Sequence, residues 1–215
     1  MFKVFYRQPS GQGLLEATVA IAVLITGLVS IVSLTLSNLT ASQGTEARLV
    51  AASLAREGIE AVRSVRDRNW LQGKVNVSGG ANAWDEGLIS GSDTTAIATI
   101  DVNTLGWTID FVPTAFTDAR TKLRRHQARG LYRQSSEATP PAEEVATPFA
   151  RLLTMYPICR NPGGSETNDQ PTCAGGFTKV GVRVVSTAQW QEGGKTRSVS
   201  LEEWLYNWRF SPYVP

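Results

Sequence analysis

The most distinctive hydropathy pattern lies near the N-terminus, where the 20 consecutive residues 17–36 carry no charge (ATVAIAVLITGLVSIVSLTL). At about 1.5 Å of rise per residue, a helix of this length spans the roughly 30 Å hydrocarbon core of a bilayer. The leader, residues 1–11, carries Lys3 and Arg7 and no acidic residue, so the positive-inside rule keeps it cytoplasmic and places the remainder outside. No small-residue cleavage site of the signal-peptide kind follows the run. The pattern therefore predicts a single membrane span with a C-terminal head outside.

A second pattern, with helical spacing, follows the apolar run. We predict one helix from Leu14 to about Trp70, with residues 12–37 as its membrane or filament-core half and residues 38–70 as its amphipathic half. Glycine is costly inside a helix, so Ser42 to Gly44 is the predicted place for a bend or local melting, and two separate helices are the alternative. Apolar and small residues recur three or four positions apart, which indicates one buried helical face, formed by Ala51, Leu54, Ala55, Gly58, Val62 and Val65.

The character of the chain changes after Trp70, and residues 71–215 are predicted to form a globular antiparallel β head. Residues 73–91 are rich in Gly, Asn and Ser and predict a loop. A helix followed by hairpins predicts an α+β fold in which the second half of the helix packs on an antiparallel sheet. The candidate strands are 96–102, 107–112, 149–158 and a pair flanking Gly193-Gly194, and the polar insertion at about 113–148 is expected to be a mobile loop.

The residues in front of the apolar run form a short motif. Gly11-Gln12-Gly13-Leu14-Leu15-Glu16 resembles the processing site of type IV prepilins and type II secretion pseudopilins. In that family a glycine precedes the cut and the fifth mature residue is glutamate. Cutting after Gly11 makes Gln12 the first residue and Glu16 the fifth, whereas cutting after Gly13 would make Glu16 the third. The family's usual first residue is Phe or Met, so Gln12 favours a minor pilin or pseudopilin over a major pilin.

The resemblance implies a fold, a set of partners and a location. It implies a pilin fold and a prepilin peptidase that removes the leader, residues 1–11, and methylates the new amine. The segment 54–70 (LAREGIEAVRSVRDRNW) further resembles the helix after the membrane span in PilV-like minor pilins. The expected function is a structural subunit of a type IV pilus or type II secretion-like filament. Its expected partners are other pilin subunits and an inner-membrane assembly platform, which moves the single-pass precursor from the inner membrane into a cell-surface filament.

Glu16 is the candidate assembly residue that this resemblance implies. A filament core made of identical apolar helices would replace the bilayer around each helix. There the Glu16 carboxylate would neutralise the Gln12 amine of a neighbouring subunit, because paired ions lose less in a low dielectric than either ion alone. The alternative is an interfacial glutamate at a helix N-terminus, where the helix dipole favours an anion.

Composition narrows the function classes. The 215 residues include 21 Lys+Arg and 19 Asp+Glu, a net charge of +2, which excludes a chain that acts mainly as a polycation on nucleic acid. Loss of Lys3 and Arg7 with the leader would leave 19 side chains of each sign. One histidine and two cysteines cannot complete a zinc site, and no hydrolase, phosphate-loop, dinucleotide or zinc-protease motif is present. We therefore expect no enzymatic activity, no cofactor and no metal.

The two cysteines, Cys159 and Cys173, flank a turn-rich stretch. In an exported head we predict a disulfide between them that closes this loop. Such a loop is also common in the C-terminal regions of the pilins that the chain resembles. Two free thiols are the alternative, and they would follow if the head were cytoplasmic.

One basic segment, 120–133, is the only dense cluster of positive charge. The segment is a candidate phosphate-tracking surface, as in a DNA- or surface-binding tip pilin, and a solvated loop or helix face is the other interpretation. Only Tyr132 offers stacking nearby, so nucleic acid is the less favoured partner, and His126 is expected at the surface. A plain single-span anchored protein is a further alternative to the filament subunit. The candidate DNA- or anion-binding residues are Arg120, Lys122, Arg124, Arg125 and Arg129.

Three tryptophans near the C-terminus, Trp190, Trp204 and Trp208, are candidates for a sugar-binding platform. Tryptophan side chains of this kind more often belong to a core or a subunit contact. We therefore expect core or subunit-contact roles for them.

Overall fold

The computed structural model describes residues 12–76, 82–113, 115–137 and 142–208. The chain divides into two compact units, one that ends at Glu46 and one that begins at Ala47. Helix α1, Gln12–Leu71, is the described part of the first unit and also enters the second. Ser42 to Gly44 are helical, so the local melting expected there is not found. The predicted α+β architecture, a long N-terminal helix and an antiparallel β-sheet, is confirmed.

The sheet is built around one long strand, β5, and every strand pairing in it is antiparallel. Along one edge of β5 lie β3, β1 and β6, and along the other lies β7, which pairs in turn with β8. A 3₁₀ turn, Ala119–Thr121, leads into β3. The strands are β1 Thr95–Ile100, β2 Trp107–Asp110, β3 Lys122–His126, β4 Tyr132–Arg133, β5 Glu144–Arg160, β6 Glu166–Thr167, β7 Thr178–Glu192 and β8 Lys195–Tyr206.

The predicted hairpins are confirmed. Strands β1 and β2 pair from Ile97–Asp110 to Ile100–Trp107, and β8 pairs with β7 over its whole length, from Gly181–Tyr206 to Glu192–Lys195. Gly193 and Gly194 have φ of +56° and +75°. Two successive residues with positive φ form the kind of tight turn that matches the twist of antiparallel strands, and glycine adopts this conformation without a Cβ penalty.

The expectation of a mobile loop at 113–148 is wrong, because much of this segment belongs to the sheet. Strands β3 and β4 and the first residues of β5 lie within it. Leu123 is fully buried against Phe149 and Trp190. The sequence of β3, KLRRH, offers a single aliphatic residue among four polar ones, so its alternation was not recognisable as that of a strand.

The second half of α1 packs on the sheet with the predicted face. Ala51, Leu54, Ala55, Gly58, Val62 and Val65 are all buried. Val62 and Val65 belong to a core cluster with Leu153 and Val184, and Leu54 belongs to a second cluster with Leu123. Gly58 lies close against the sheet, since a Cβ there would meet Ser186 Oγ first and would lie 3.0 Å from Leu153 Cδ2 and 3.1 Å from Arg151 Cδ. The absence of a side chain at Gly58 therefore permits the observed helix–sheet separation.

A fully buried arginine, Arg151 on β5, connects this helix to three other parts of the head. Its Nη1 donates to the Leu54 carbonyl at 3.0 Å and approaches Glu57 Oε2 at 3.3 Å. Its Nη2 donates to the Ala98 carbonyl at 3.3 Å, and its Nε donates to Gln134 Oε1 at 3.2 Å. Burial lowers the pKa of this guanidinium, and the Glu57 carboxylate opposes that shift. The charge is stabilised because each arm of the guanidinium meets an acceptor.

Candidate functional site

The first candidate site is the exposed part of α1. Every residue from 13 to 42 is exposed, and the large aliphatic side chains from Leu14 to Leu39 are 54 to 75% accessible. This helix is long and apolar enough to cross a membrane by length and composition. A contiguous apolar surface of this size is not stable against water, so it needs a cover of lipid or protein.

Several hydroxyl side chains in this segment bond to their own helix. The Thr18 hydroxyl donates to the Leu15 carbonyl at 2.8 Å, Ser30 donates to Thr26 at 2.8 Å, and Thr35 donates to Ile31 at 2.9 Å. Bonds of this type satisfy a polar side chain without any external partner. The hydroxyls therefore do not interrupt the apolar character of the surface.

Glu16 is the only charged residue between Gln12 and Thr45. It lies in the second turn of α1, with its side chain exposed. Helix α1 begins at Gln12, while Gly11 and the remainder of the predicted leader lie outside the described residues. The cleavage between Gly11 and Gln12 and the pairing role of Glu16 remain predictions.

The predicted disulfide is confirmed. Cys159, which is buried near the end of β5, is bonded to Cys173, with the two Cα atoms 5.4 Å apart. The loop between them contains β6, whose Thr167 pairs with Cys159. The bond thus closes the loop on the edge of the sheet and restricts it.

Part of the basic segment is engaged within the head. The Arg120 guanidinium binds Asp118 through two arms and holds the pKa of that carboxyl at about 2. Arg133 Nε lies 2.8 Å from Glu144 Oε1. The guanidinium of Arg129 donates to the Val102 carbonyl. The carboxylates of Asp118 and Glu144 offset the charge of Arg120 and Arg133, whereas Arg129 keeps its full charge beside a neutral carbonyl.

Lys122, Arg124 and Arg125 form no ion pair with any described residue. Arg124 and Arg125 are consecutive in β3, and consecutive strand residues point to opposite faces. The Arg124 and Arg125 side chains therefore do not share one face of the sheet. His126 is 7% exposed, with its Nε2 3.3 Å from Glu143 Oε2, so the expectation of a surface histidine is wrong.

The tryptophans differ in their environments. Trp190 is buried beside Phe149, as expected for a core residue. Trp204 and Trp208 are 45% and 69% exposed. The Trp208 ring stands edge-on against Trp70 of α1, with ring centroids 4.9 Å apart.

Two arrangements were not predicted from the sequence. One is the network around Arg151, for which the available signal was an arginine inside an otherwise apolar strand. The other is the sheet face that carries Trp204, whose alternation of polar and aromatic residues at 200–206 was visible but whose neighbours on β5 and β7 depend on register. Within the described ranges, no group of three His, Cys, Asp or Glu side chains is placed to hold a metal ion.

No family model matches this chain, and no curated protein or solved structure matches it.

Proposed function

We propose that the chain is a structural subunit, a minor pilin or pseudopilin, of a type IV pilus or a type II secretion-like filament. One observation carries the proposal: an exposed apolar segment of α1, residues 13–42, in which the single acid, Glu16, is the fifth residue after the predicted cut at Gly11. The proposed precursor is a single-span inner-membrane protein that a prepilin peptidase shortens and that then enters a filament.

The physics of the exposed helix supports assembly. Side chains on all sides of residues 13–42 are accessible, most of them are aliphatic, and several hydroxyls bond to their own helix, which suits lipid before assembly and a bundle of like helices afterwards. In such a bundle a lone carboxylate is costly unless it meets a positive group. The amine of a processed Gln12 would supply that group and would set the axial register between neighbours.

The head agrees with this proposal. Residues 47–71 of α1 pack on an antiparallel sheet, which is the order of elements expected for a pilin-like subunit. A disulfide-closed loop, Cys159 to Cys173, fits a head that resides in an oxidising compartment.

Processing is tested by co-expression of the full chain with a prepilin peptidase. We expect intact-mass spectrometry to show a product that begins at Gln12, and we expect Gly11→Leu to remain full length. Gly13→Leu is the matched control, since the proposed cut does not use that glycine, and it should still be shortened. An unshortened wild-type product, or a shortened Gly11→Leu product, would favour the plain single-span anchor.

Assembly is tested with Glu16→Ala in the native filament system. We expect processing to continue and incorporation into sheared filaments to be lost, because the neighbouring amine would have no partner. Glu46→Ala removes the next acid along the same helix, also an exposed one, and should assemble normally. Normal filament content in Glu16→Ala would contradict the proposed role.

A DNA- or surface-binding tip pilin is the second candidate, and the cations without ion pairs favour it. The test is a mobility shift with double-stranded DNA at low and high salt. This candidate predicts salt-sensitive binding that disappears in Arg124→Ala/Arg125→Ala and persists in Arg120→Ala, whose guanidinium is already neutralised by Asp118. An absence of binding at low salt would dismiss it.

A further inference from the structure

One face of the sheet carries a row of aromatic and charged side chains. Tyr156 on β5, Arg183 on β7 and Trp204 on β8 are direct cross-strand partners. Their neighbours Val182 and Val184 are buried in the core cluster beneath α1, so the row lies on the opposite side of the sheet. We call this side the open face and define it by Tyr156, Arg183, Glu202, Trp204 and Tyr206.

The polar atom of each exposed ring on the open face is bound within the protein. Trp204 Nε1 donates to Glu202 Oε1 at 2.8 Å, and Arg183 donates to both oxygens of Glu202 at 2.9 and 3.0 Å. The Tyr206 hydroxyl donates to Glu166 Oε2 at 2.9 Å. These bonds fix the orientation of both rings, whose centroids are 6.5 Å apart with their planes at 50°.

The charges on this face neutralise one another. Arg183 pairs with Glu202. Arg160 pairs with Glu166, with its Nε and Nη2 at 3.0 and 2.6 Å from Glu166 Oε1. Arg183, and to a lesser extent Trp204, hold the pKa of Glu202 at about 2. Arg183 Nη1 has no hydrogen-bond partner among the described residues. The face therefore offers ring surfaces and directional hydrogen-bonding groups, and both of its arginines are paired with carboxylates, with the exposed Asp169 as a further acid near Arg183.

We propose that the open face binds a neutral carbohydrate chain, with sugar rings stacked on Trp204 and Tyr206. A pyranose ring presents CH groups on its faces and hydroxyls around its edge. The CH groups match the faces of oriented aromatic rings, and the hydroxyls match the free donor of Arg183 and the acceptor capacity of Glu202. A nucleic acid would require uncompensated positive charge, and an embedded lipid surface would not suit exposed ion pairs.

Neutral oligosaccharides test the proposal on the full chain in a zwitterionic detergent, since a maltoside detergent would present the ligand class itself. Cellohexaose, chitohexaose and maltohexaose are titrated by calorimetry, and contacts are mapped by saturation-transfer NMR. We expect saturable binding of at least one of them. Trp204→Ala and Tyr206→Ala should each weaken it by about tenfold or more.

Two further variants separate stacking from general damage. Tyr206→Phe keeps the ring and loses the bond to Glu166, so we expect its affinity to fall much less than that of Tyr206→Ala. Trp208→Ala removes an exposed tryptophan that contacts Trp70 instead of the open face and should bind as the wild type does. Thermal unfolding confirms that each variant is folded.

Three results would overturn the proposal. They are the absence of saturable binding to all three oligosaccharides, equal affinity in folded Trp204→Ala, and self-association of the wild type that Trp204→Ala abolishes. The last result would make the open face a contact between copies. None of these measurements depends on processing at Gly11. The carbohydrate proposal can therefore fail while the filament function stands, and the filament function can fail while carbohydrate binding stands.

Discussion

The two parts of α1 belong to one continuous helix but differ in which of their side chains are buried. From 13 to 42 all residues are exposed, and the hydroxyl side chains of Thr18, Ser30 and Thr35 bond to their own helix. From Ala47 onward, buried and exposed residues alternate with helical period. A helix acquires one apolar face where a single sheet covers it, and it is apolar all round where its surroundings are uniform.

Charge follows the same division. The first part carries only Glu16 up to Thr45, whereas the second part uses its arginines to reach the strands. Arg63 pairs with Glu203 of β8, and Arg68 donates to the Trp107 carbonyl at 2.9 Å. The position of the second part on the sheet therefore depends on contacts with individual residues. The first part is distinguished only by its apolar composition.

Replacement of Arg151 should be the most damaging change to the head. Arg151→Met removes the guanidinium, so Glu57 and Gln134 Oε1 lose a buried donor and the carbonyls of Leu54 and Ala98 each lose one of theirs. We expect the free energy of unfolding to fall by about 3 to 5 kcal/mol, measured by urea denaturation of the full chain in detergent. Arg125→Met is the control, since Arg125 is exposed and unpaired, and it should change stability by less than about 0.5 kcal/mol. A loss below about 1 kcal/mol in Arg151→Met would contradict the role assigned to the network.

Two leucines on α1 test the division between its parts directly. Leu54 is 4% exposed and Leu28 is 62% exposed. Leu54→Ala should lower the unfolding free energy of the head by about 3 kcal/mol, while Leu28→Ala should change it by less than about 0.5 kcal/mol. The same denaturation measurement decides this, and similar losses for both leucines would show that the two parts unfold as one.

Two glycines give a smaller and sharper contrast. A methyl group at Gly58 meets Ser186 Oγ first and then Leu153 and Arg151 at about 3 Å, whereas nothing lies within 4 Å of a Cβ at Gly27. We expect Gly58→Ala to destabilise the head by about 1 to 3 kcal/mol, despite its better helix propensity. Gly27→Ala should leave the melting temperature of the head unchanged. Equal melting temperatures for the two variants would contradict the close packing of α1 on the sheet at Gly58.

The smallest expected effect concerns pH. Arg183 and Trp204 depress the pKa of Glu202 to about 2, below its ordinary value of 4.5. The stabilisation from this ionised carboxylate is therefore complete above about pH 4.5 and is lost as the pH falls toward 2. Carboxylate NMR should show Glu202 titrating near pH 2 in the wild type and shifting upward in Arg183→Met. A midpoint near 4.5 in the wild type would mean that the bonds to Glu202 are absent in solution.

The features that depend on short stretches of sequence could be predicted. The buried positions of α1 follow from period and the β7–β8 turn follows from two adjacent glycines. The disulfide followed from the cysteine count together with an exported topology. Each of these depends on neighbours in the chain or on a single possible partner.

Features that depend on distant partners were not predictable. Strand β3 contains one aliphatic residue, Leu123, whose burial requires Phe149 and Trp190 from elsewhere in the chain. Burial of His126 likewise depends on the pairing of β3 with Glu144 of β5.

The candidate sites divide in the same way. The apolar segment of α1 and its single acid were evident from the sequence. The basic segment is less positive than the sequence suggested, because acids such as Asp118 and Glu144 neutralise part of it. The open face depends on the register that brings Tyr156, Arg183 and Trp204 into one row.

The buried guanidinium of Arg151 has a consequence for how the head folds. Its acceptors come from α1, β1 and the segment after β4, so an intermediate that lacks any of these segments leaves a buried cation short of partners. Partly assembled heads are therefore penalised, and the head should gain its structure in one cooperative transition. Residues 47–71 of α1 join that transition, while the part of α1 that precedes them can form independently, before the head exists.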